Sequence, residues 1–449
     1  MNKNFNARDL AAEILDKIIN EGTYANICLS QSLNENQVDT RERSFITNLV
    51  YGCLKKWVPI EYQLNQFLTK PLKKKDEFLE IILHLGVYEI LFAATPDRAA
   101  VNEAVNLAKK HGHQGWGGLT NGVLRNIIRA KENLQWPNFK DEIDKEIFFQ
   151  SLPLWLGDMW RKERGDEETL ILIKSLDVIH PLSIRTNTLK TNQSELLQRL
   201  KDAEVEAVPG EFAPDCIKIL GGKNPFLLNI SKVGFFAVQE EASQLAVLAL
   251  APKPKEMILD MCAAPGGKST YIAQLMENKG TICASDIHEH KIKMIDYAIE
   301  SLGIDIIEAL VKDGQKWGEE CFETFDRILL DVPCSGLGVL SRRQDARFKK
   351  SESDIIALQK IQRELIDSAI KALKVGGRLI YSTCTLSQRE NQENRQYILD
   401  NYKNMLPLDL SNDLPMLKTD SLKQGYTELL PHIHGTDGFF IAGFVKEKI

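Results

Sequence analysis

The chain has 449 residues, of which 43% are hydrophobic and 26% are charged, and its formal net charge is −6. At roughly 150 residues per domain this length predicts about three domains, and the composition excludes a disordered or collagen-like chain. Charges interrupt every apolar run before the ~18 residues of a membrane-spanning helix, and the acidic balance disfavours nucleic-acid binding except through a local basic face.

The first 135 residues predict an all-helical domain, because apolar residues recur at helical spacing from Ala7 to about Arg129. Helix-breaking residues separate these runs, namely Gly22, Pro59, Pro71, Pro96 and the segment 111–118. The same region carries no export signal, since Asp9, Glu13 and Asp16 interrupt the apolar stretch that such a signal needs. We therefore expect a cytosolic protein.

Residues 136–234 predict linker helices followed by a small α+β module. A helical segment covers Leu154–Leu176, and His180–Asn187 is expected to form a strand. An amphipathic helix is predicted over Ser194–Ala203, and Cys216–Leu220 is a further strand. The change from helical to mixed periodicity marks this segment as a separate piece of the chain.

From residue 235 to residue 449 short apolar strands alternate with helices. The predicted strands are Met257–Met261, Thr281–Ser285, Ile306–Val311, Arg327–Leu330 and Arg378–Ser382. This alternation predicts a Rossmann-like α/β domain with a doubly wound, mostly parallel sheet, whose strands meet a ligand at their carboxyl ends. The predicted fold class is an all-α N-terminal domain, then a small α+β module, then α/β.

A glycine-rich loop, Asp260-Met-Cys-Ala-Ala-Pro-Gly-Gly-Lys268, follows the first of these strands. It is not a P-loop, because residue 262 is cysteine where that motif needs glycine, and it does not fit Gly-x-Gly-x-x-Gly. An adenosyl ligand without phosphates is therefore favoured. Asp286 ends the second strand, where a carboxylate can accept ribose hydroxyls, and Asp313 follows the third, within reach of an adenine amino group. Either aspartate alone could simply cap a helix.

Two cysteines follow the fourth and fifth strands, in Asp331-Val-Pro-Cys334 and Ser382-Thr-Cys384. A thiol beside a methyl donor suits methylation at carbon 5 of a pyrimidine, since a thiolate that adds to carbon 6 makes carbon 5 nucleophilic. Asp331 is a candidate for sharing a proton with N3, and Lys268 for the positive field that activates a thiolate. Position alone does not rank the two thiols.

The remaining cysteines and the histidines have simpler interpretations. Cys262 is expected to shape the glycine-rich loop, and the other thiols to be small core residues, namely Cys28, Cys53, Cys216, Cys283 and Cys321. No Cys-x-x-Cys pair is present, so neither a zinc cage nor a disulfide framework is predicted. Three His-x-His pairs lack supporting ligand spacing, and no metal is expected: His111/His113, His288/His290 and His432/His434.

The three motifs around residues 260–268, 331–336 and 382–384 resemble, in order, those of the RNA cytosine-C5 methyltransferases that use S-adenosylmethionine. Arg185-Thr-Asn187 and Val238–Ser243 are similar to segments that precede the catalytic motifs in that family. The N-terminal helices resemble the NusB-type RNA-binding domain in Arg43–Gly52, Ala99–Ala108 and Thr120–Arg125. The combination covers nearly the whole chain and resembles the 16S rRNA cytosine-C5 methyltransferases of bacteria.

The resemblance implies a class I methyltransferase domain over residues 235–449 and assigns roles to its residues. Cys384 becomes the nucleophile that attacks carbon 6, and Cys334 assists elimination and product release. Asp331 exchanges a proton with N3, and Lys268 is a further candidate catalytic residue. The residues implied in holding S-adenosylmethionine are Cys262, Ala263, Ala264, Pro265, Gly266, Gly267, Lys268, Asp286, Asp313 and Asp331. The residues expected to contact RNA are Arg185, Asn187, Arg342, Arg343 and Arg347.

One segment departs from the family pattern. After Gly338 the family usually reads Arg-Arg-x-Pro-Asp-x-Lys-Trp, whereas this chain has Arg342-Arg-Gln-Asp-Ala-Arg-Phe348. The expected substrate is a single-stranded or flipped-out cytosine of 16S rRNA, acted on by a monomer. A tRNA cytosine-C5 methyltransferase and a non-catalytic RNA-binding assembly or transcription factor are the alternatives.

Overall fold

The computed structural model describes residues 6–178 and 180–448, apart from the side chain of Leu227. The described residues form two compact units. The first takes the chain up to Lys174 together with Arg342–Lys350, and the second takes Ser175–Ser341 and the residues from Ser351 onward. Across these described ranges, none of the helices combines the length and the apolar character needed to span a bilayer.

The first unit is built from helices, as predicted. Their bounds are α1 Ala7–Ile19, α2 Ala25–Glu35, α3 Thr40–Lys55, α4 Trp57–Phe67, α5 Glu77–Leu91, α6 Asp97–His111, α7 Gln114–Ala130, α8 Glu142–Phe149, α9 Leu154–Arg164 and α10 Asp166–Ser175. Helix α5 is apolar on nearly all sides and is buried from Leu79 to Ile90. It lies at the centre of the first seven helices, packed against α1, α3, α4, α6 and α7.

Two helix boundaries differ from the prediction. The segment 111–118 was expected to be a break, but α7 begins at Gln114, because the His113 side chain accepts a hydrogen bond from Gly115 N at 3.1 Å and caps the helix. The predicted helix over 154–176 is divided at Gly165, whose φ of +80° is a left-handed conformation suited to glycine.

Residues Arg342–Lys350 belong to the helical unit, although they follow the fourth strand of the α/β domain. Asp345 Oδ2 accepts a hydrogen bond from Ala25 N at 3.3 Å, at the start of α2. Lys349 Nζ donates to Thr23 O at 2.6 Å and lies 4.4 Å from the centre of the Tyr24 ring. The segment is therefore fixed to the N-terminal end of α2.

The second unit begins with a small α+β module, in agreement with the prediction. Its elements are β1 Leu182–Thr186, α11 Gln193–Asp202, β2 Val205–Pro209, β3 Cys216–Gly222, α12 Asn229–Lys232 and β4 Phe236–Val238. The strands form an antiparallel sheet in the order β2-β3-β1-β4. Leu196 and Leu200 of α11 pack with Ile184 and Ile217 of the sheet in one core.

A larger sheet fills the remainder of the second unit. Its elements are α13 Glu241–Leu250, β5 Met257–Asp260, α14 Gly267–Leu275, β6 Thr281–Asp286, α15 Glu289–Leu302, β7 Ile307–Val311, α16 Trp317–Glu320, β8 Phe325–Asp331, α17 Glu352–Ala372, β9 Leu373–Thr383, α18 Gln392–Asn401, β10 Met405–Pro407, β11 Tyr426–Leu429, α19 Pro431–His434 and β12 Phe439–Lys446. The strand order is β10-β12-β9-β8-β5-β6-β7, with β11 also paired to β12.

The five predicted strands are the parallel part of this sheet, from β5 to β9. Strands β10, β11 and β12 are antiparallel and were not identified from the sequence. Because β5 lies between β6 and β8 and β9 follows β8, the carboxyl ends of these four strands meet at one edge. That edge carries the candidate site, and every residue of it belongs to the second unit.

Candidate active site

The glycine-rich loop is held tightly against its neighbours. Gly266 has a φ of +97°, and a Cβ there would lie 3.2 Å from the Cα of Ile295, so a side chain would meet both strain and backbone. Ala263 N donates to Ser285 O at 2.8 Å, which fixes the loop to the end of β6. The loop then enters α14 at Gly267, with Gly266 as the N-cap residue.

Asp260, at the end of β5, is a fully buried carboxyl group. Its Oδ2 accepts a hydrogen bond from Ser269 Oγ at 2.6 Å, whereas its Oδ1 has no hydrogen-bond partner in the described part of the chain. Burial raises the pKa of Asp260 to about 7, against the opposing effects of the Ser269 hydrogen bond and the Lys268 charge. The unpartnered oxygen is available to a donor group of a ligand.

Substituting Asp260 by asparagine should change how stability depends on pH. The folded protein holds the Asp260 proton up to a pKa of about 7, whereas an ordinary aspartate loses it near 3.8. The unfolded chain thus binds fewer protons between these values, and the free energy of unfolding falls as pH rises, by up to ~1.4 kcal/mol per pH unit for one proton. Urea unfolding from pH 4 to 8 should show a flatter profile for Asp260→Asn, and parallel profiles would contradict this.

Asp286 and Asp313 lie at the ends of β6 and β7 as predicted. Asp286 is 7% exposed, and its carboxylate accepts from His288 N at 3.0 Å and from Lys291 Nζ at 3.2 Å. Asp313 accepts from Gln315 N at 3.0 Å and caps a short 3-10 turn. The helix-cap interpretation therefore accounts for one contact of Asp313, and a role of either carboxylate in ligand binding stays a prediction.

Asp331 and Lys268 form an ion pair at the centre of the edge. Lys268 Nζ lies 2.6 Å from Asp331 Oδ2, and Ser382 Oγ donates to Asp331 Oδ1 at 2.8 Å. Burial alone lowers the pKa of Lys268, but the charge and hydrogen bond of Asp331 outweigh it and raise the pKa above its ordinary value, with a smaller contribution from Cys384. Lys268 therefore stays cationic and attracts a thiolate at Cys384.

The two cysteines of the site converge. Cys334 Sγ and Cys384 Sγ are 3.4 Å apart, and both side chains are half-buried. The hydrogen bond to Cys384 raises the pKa of Cys334 well above its ordinary value, and burial and the nearby carboxylates of Glu390 and Asp331 add to the effect. The raised pKa therefore keeps a proton on Cys334.

Gly338 ties the loop of Cys334 to the loop of Cys384 through the backbone. Gly338 N donates to Cys384 O at 3.0 Å, and Gly338 O accepts from Gly438 N at 2.8 Å. A Cβ on Gly338 would lie 2.1 Å from Gly438 O and 2.8 Å from Cys384 O. No side chain fits this position without moving both backbones.

Gly338→Ala should therefore reduce both stability and activity. The forced displacement of packed backbone is expected to lower the free energy of unfolding by about 1–3 kcal/mol and to separate the two sulfur atoms. Gly336→Ala is the matched control, since the nearest atom to a Cβ there is a side-chain methyl of Val339 at 3.7 Å, although its φ of +73° adds its own strain. Equal turnover of Gly338→Ala and wild type would contradict the prediction.

Two residues expected to contact RNA are fully buried, so that prediction is wrong for them. Arg185 donates to Gly267 O at 2.6 Å, to Thr270 Oγ1 at 3.0 Å and to Gln239, and thereby supports the glycine-rich loop. Asn187 Nδ2 donates to Gly234 O at 2.8 Å and Leu302 O at 2.9 Å. Both side chains are thus used in hydrogen bonds within the protein.

The three arginines after the Cys334 loop lie in the helical unit. Arg347 is 3% exposed and donates to Gln344, so the prediction of an RNA contact is wrong for it too. Arg342 is half-buried and Arg343 is exposed. For these last two an RNA contact stays a prediction.

Several residues near the site were missed from the sequence. Glu390 is fully buried and accepts hydrogen bonds from Ser335, in the loop of Cys334, and from Thr385, in the loop of Cys384. Ser285 Oγ accepts from Trp317 Nε1 at 3.0 Å while donating to Met261 O. Each of these lies between elements or inside a strand, where neither periodicity nor a spaced motif marks it. Only the loops that follow the parallel strands carry motifs that identify them from the sequence.

Four of the remaining thiols are core residues, and two pack against the core. Cys28, Cys53, Cys216 and Cys283 are buried, and Cys262 and Cys321 are half-buried. Burial raises the pKa of Cys216 to about 12 and shifts that of Cys262 in the same direction. Away from the sheet edge, Asp9 and Glu13 lie beside His111, which sequence spacing did not predict, and Asp9 accepts hydrogen bonds from His111 and Lys110.

Comparisons with known proteins agree along the whole chain. Residues 247–445 match the family described as 16S rRNA methyltransferase RsmB/F, residues 5–129 match the NusB family, and residues 152–224 match the ferredoxin-like domain of RsmF/B-like methyltransferases. A Bacillus subtilis relative, "Probable ribosomal RNA small subunit methyltransferase B", is 36% identical over 99% of this chain and 100% of its own length.

Solved structures give the same picture. The crystal structure of PH0851 covers 99% of this chain and 99% of its own, with a TM-score of 0.84 and 29% identity. The structure of NSun6 from Pyrococcus horikoshii with SFG covers 66% of this chain and 99% of its own, with a TM-score of 0.58 and 25% identity.

Proposed function

Because the chain belongs to the ribosomal RNA small subunit methyltransferase B family, we propose that it methylates carbon 5 of a cytosine in 16S rRNA, with S-adenosylmethionine as the methyl donor. The observation that carries this proposal is the pair of thiols, 3.4 Å apart, beside the Lys268–Asp331 ion pair. Methylation of a nitrogen or an oxygen needs no thiol, whereas carbon 5 of a pyrimidine needs a covalent nucleophile.

The sheet edge suits S-adenosylmethionine in its carboxyl groups and in the lack of a phosphate-binding motif. This molecule carries a sulfonium and an ammonium group and has no phosphate, and the edge is acidic, with carboxyl groups at Asp260, Asp286, Asp313 and Asp331. Asp260 Oδ1 is a buried acceptor without a partner among the described residues. We infer that the loop from Cys262 to Lys268 and these aspartates hold the molecule, which supplies an electrophilic methyl group when bound.

Cys384 performs the covalent step in this proposal. Its thiolate sulfur bonds to carbon 6 of the cytosine, and the electron pair of the C5=C6 double bond becomes available at carbon 5. Asp331 shares a proton with N3, and Lys268 supplies positive charge where the ring becomes electron-rich. The base must be single-stranded or flipped out, because carbons 5 and 6 lie inside the stack of a duplex.

Cys334 takes part in the release of the product. After carbon 5 has received a methyl group, its proton leaves to a base, the C5=C6 double bond re-forms, and the bond between carbon 6 and the Cys384 sulfur breaks with the sulfur leaving as a thiolate. Cys334, whose sulfur is 3.4 Å from that of Cys384, can give its own proton to the departing thiolate and then, as a thiolate itself, take up the proton from carbon 5. The family resemblance supports this division of roles between the thiols.

A direct assay tests the proposal. Unmodified 16S rRNA and unmodified tRNA are each incubated with the protein and methyl-labelled S-adenosylmethionine, and the digested RNA is examined by mass spectrometry for 5-methylcytidine. We expect 5-methylcytidine in 16S rRNA. Label in tRNA alone would favour a tRNA methyltransferase, and binding of RNA without label would favour a non-catalytic assembly factor.

A further inference from the structure

Glu390 lies between the two cysteine loops and is in contact with both. It is fully buried, six residues after Cys384 and just before α18. Its Oε1 accepts a hydrogen bond from Ser335 N at 2.9 Å, and its Oε2 accepts from Ser335 Oγ. Ser335 directly follows Cys334, and its hydroxyl oxygen is 2.6 Å from Thr385 Oγ1, directly after Cys384.

Other elements of the domain hold Glu390 rigidly in place. Gln362 Nε2, from α17, donates to Glu390 Oε1 at 3.0 Å and to Pro333 O at 2.9 Å. The backbone oxygen of Glu390 accepts from Tyr381 OH at 2.6 Å and from Asn394 Nδ2 at 3.1 Å. Ser335, which follows Cys334, is therefore bound to the Glu390 side chain. Pro333, which precedes Cys334, is bound to Gln362, and Gln362 also contacts Glu390.

The donors around Glu390 require an acceptor on both of its oxygen atoms. Burial raises the pKa of Glu390, while hydrogen bonds from Ser335, Gln362 and Thr385 lower it. A buried carboxylate is stable only when such donors satisfy it. An amide at residue 390 would place a donor where an acceptor is needed. The Glu390→Gln variant therefore keeps the shape of the side chain but replaces one of its two acceptor oxygens by a donor nitrogen.

Cys384 has a separate anchor. Asn391 Nδ2 donates to Thr385 O at 3.0 Å, and Thr383 Oγ1 donates to Asn391 Oδ1 at 2.6 Å, so the residues on both sides of Cys384 are fixed to the start of α18. Loss of the Glu390 contacts is thus expected to move the Cys334 loop more than the Cys384 loop.

We propose that Glu390 is a positioning residue that holds Cys334 beside Cys384, so that the covalent RNA adduct can be released. This inference rests on the function proposed above. It predicts an asymmetric defect: Cys384 still attacks the base, but Cys334 is displaced from the place where it assists elimination. Release is expected to slow by about 10- to 100-fold, the scale of a misplacement of roughly 1 Å.

The test compares Glu390→Gln with Glu393→Gln in the full chain, using 16S rRNA and S-adenosylmethionine. Glu393 lies one turn along, is exposed, and accepts a hydrogen bond from Gln359 at 2.9 Å, so it is a matched control. Adduct is measured as RNA-bound protein on denaturing gels, turnover as 5-methylcytidine formed, and folding as the melting temperature. We expect Glu390→Gln to accumulate adduct with slow turnover, and Glu393→Gln to behave as wild type.

Two results would overturn the inference: wild-type turnover of folded Glu390→Gln, or loss of adduct and turnover together. If Glu390→Gln does not fold, the inference is tested with Ser335→Ala, which removes the hydroxyl hydrogen bond to Glu390 and keeps the one from the backbone. The inference then requires that adduct accumulates in Ser335→Ala. Cys384→Ala/Glu390→Gln should give no adduct. If Cys334→Ala gives no adduct, the proposed function itself is contradicted. Normal release in Glu390→Gln contradicts only the positioning role of Glu390.

Discussion

Cys384→Ala is expected to abolish methyl transfer to 16S rRNA and to leave no covalent complex of protein and RNA. Without this sulfur no bond forms to carbon 6, so carbon 5 does not become nucleophilic. Removal of a covalent nucleophile lowers turnover by on the order of 10⁴-fold or more. The Cys384 side chain is half-buried, so we expect only a small change in melting temperature.

The measurement is incorporation of labelled methyl groups, with denaturing gels run in parallel. Cys321→Ala is the matched control, because it removes a half-buried thiol of the same unit that lies outside the site. Residual turnover near the wild-type rate would show that Cys384 is not the nucleophile. A trapped adduct in Cys384→Ala would instead assign the attack to Cys334.

Cys334→Ala is expected to have the opposite signature, a covalent adduct that survives denaturing gels. Attack by Cys384 does not require the second thiol, but release does, so each protein molecule should stop after about one round of addition. The 3.4 Å separation of the sulfur atoms makes this effect specific, since Cys334 lies beside the bond that must break. The adduct should form with unmodified RNA and S-adenosylmethionine.

Mass spectrometry of the trapped complex identifies the attached residue, and the peptide that contains Cys384 should carry the nucleotide. The double variant Cys334→Ala/Cys384→Ala is the control and should form no adduct. Repeated turnover by Cys334→Ala at the wild-type rate would contradict the assignment of product release to this thiol, even if Cys384→Ala behaves as expected.

The sequence predicted the site where topology alone brings residues together. The loop after β5 and the loops after β8 and β9 follow parallel strands, and the carboxyl ends of parallel strands meet at one edge of a sheet. Asp331, Cys334 and Cys384 were therefore predictable as neighbours. The ion pair of Lys268 with Asp331 follows from the same topology, although its 2.6 Å length does not.

The remainder of the site depends on contacts that no local pattern encodes. Glu390 and Ser335 are 55 residues apart in the chain, and nothing in the spacing of either residue indicates a buried pair. Arg185 illustrates the opposite error, since the family resemblance led us to expect an RNA contact but its side chain is used inside the protein. The antiparallel strand Phe439–Lys446 is buried on both faces, so it has no alternation to identify it.

The position of Arg342–Lys350 has a consequence for the order in which the protein is completed during synthesis. The helical unit receives its last segment only after more than half of the α/β domain has been translated. Until then Ala25 N and Thr23 O lack the partners that Asp345 and Lys349 provide. A nascent or truncated chain that ends at residue 174 thus contains the helices but lacks the segment that binds the N-terminal end of α2.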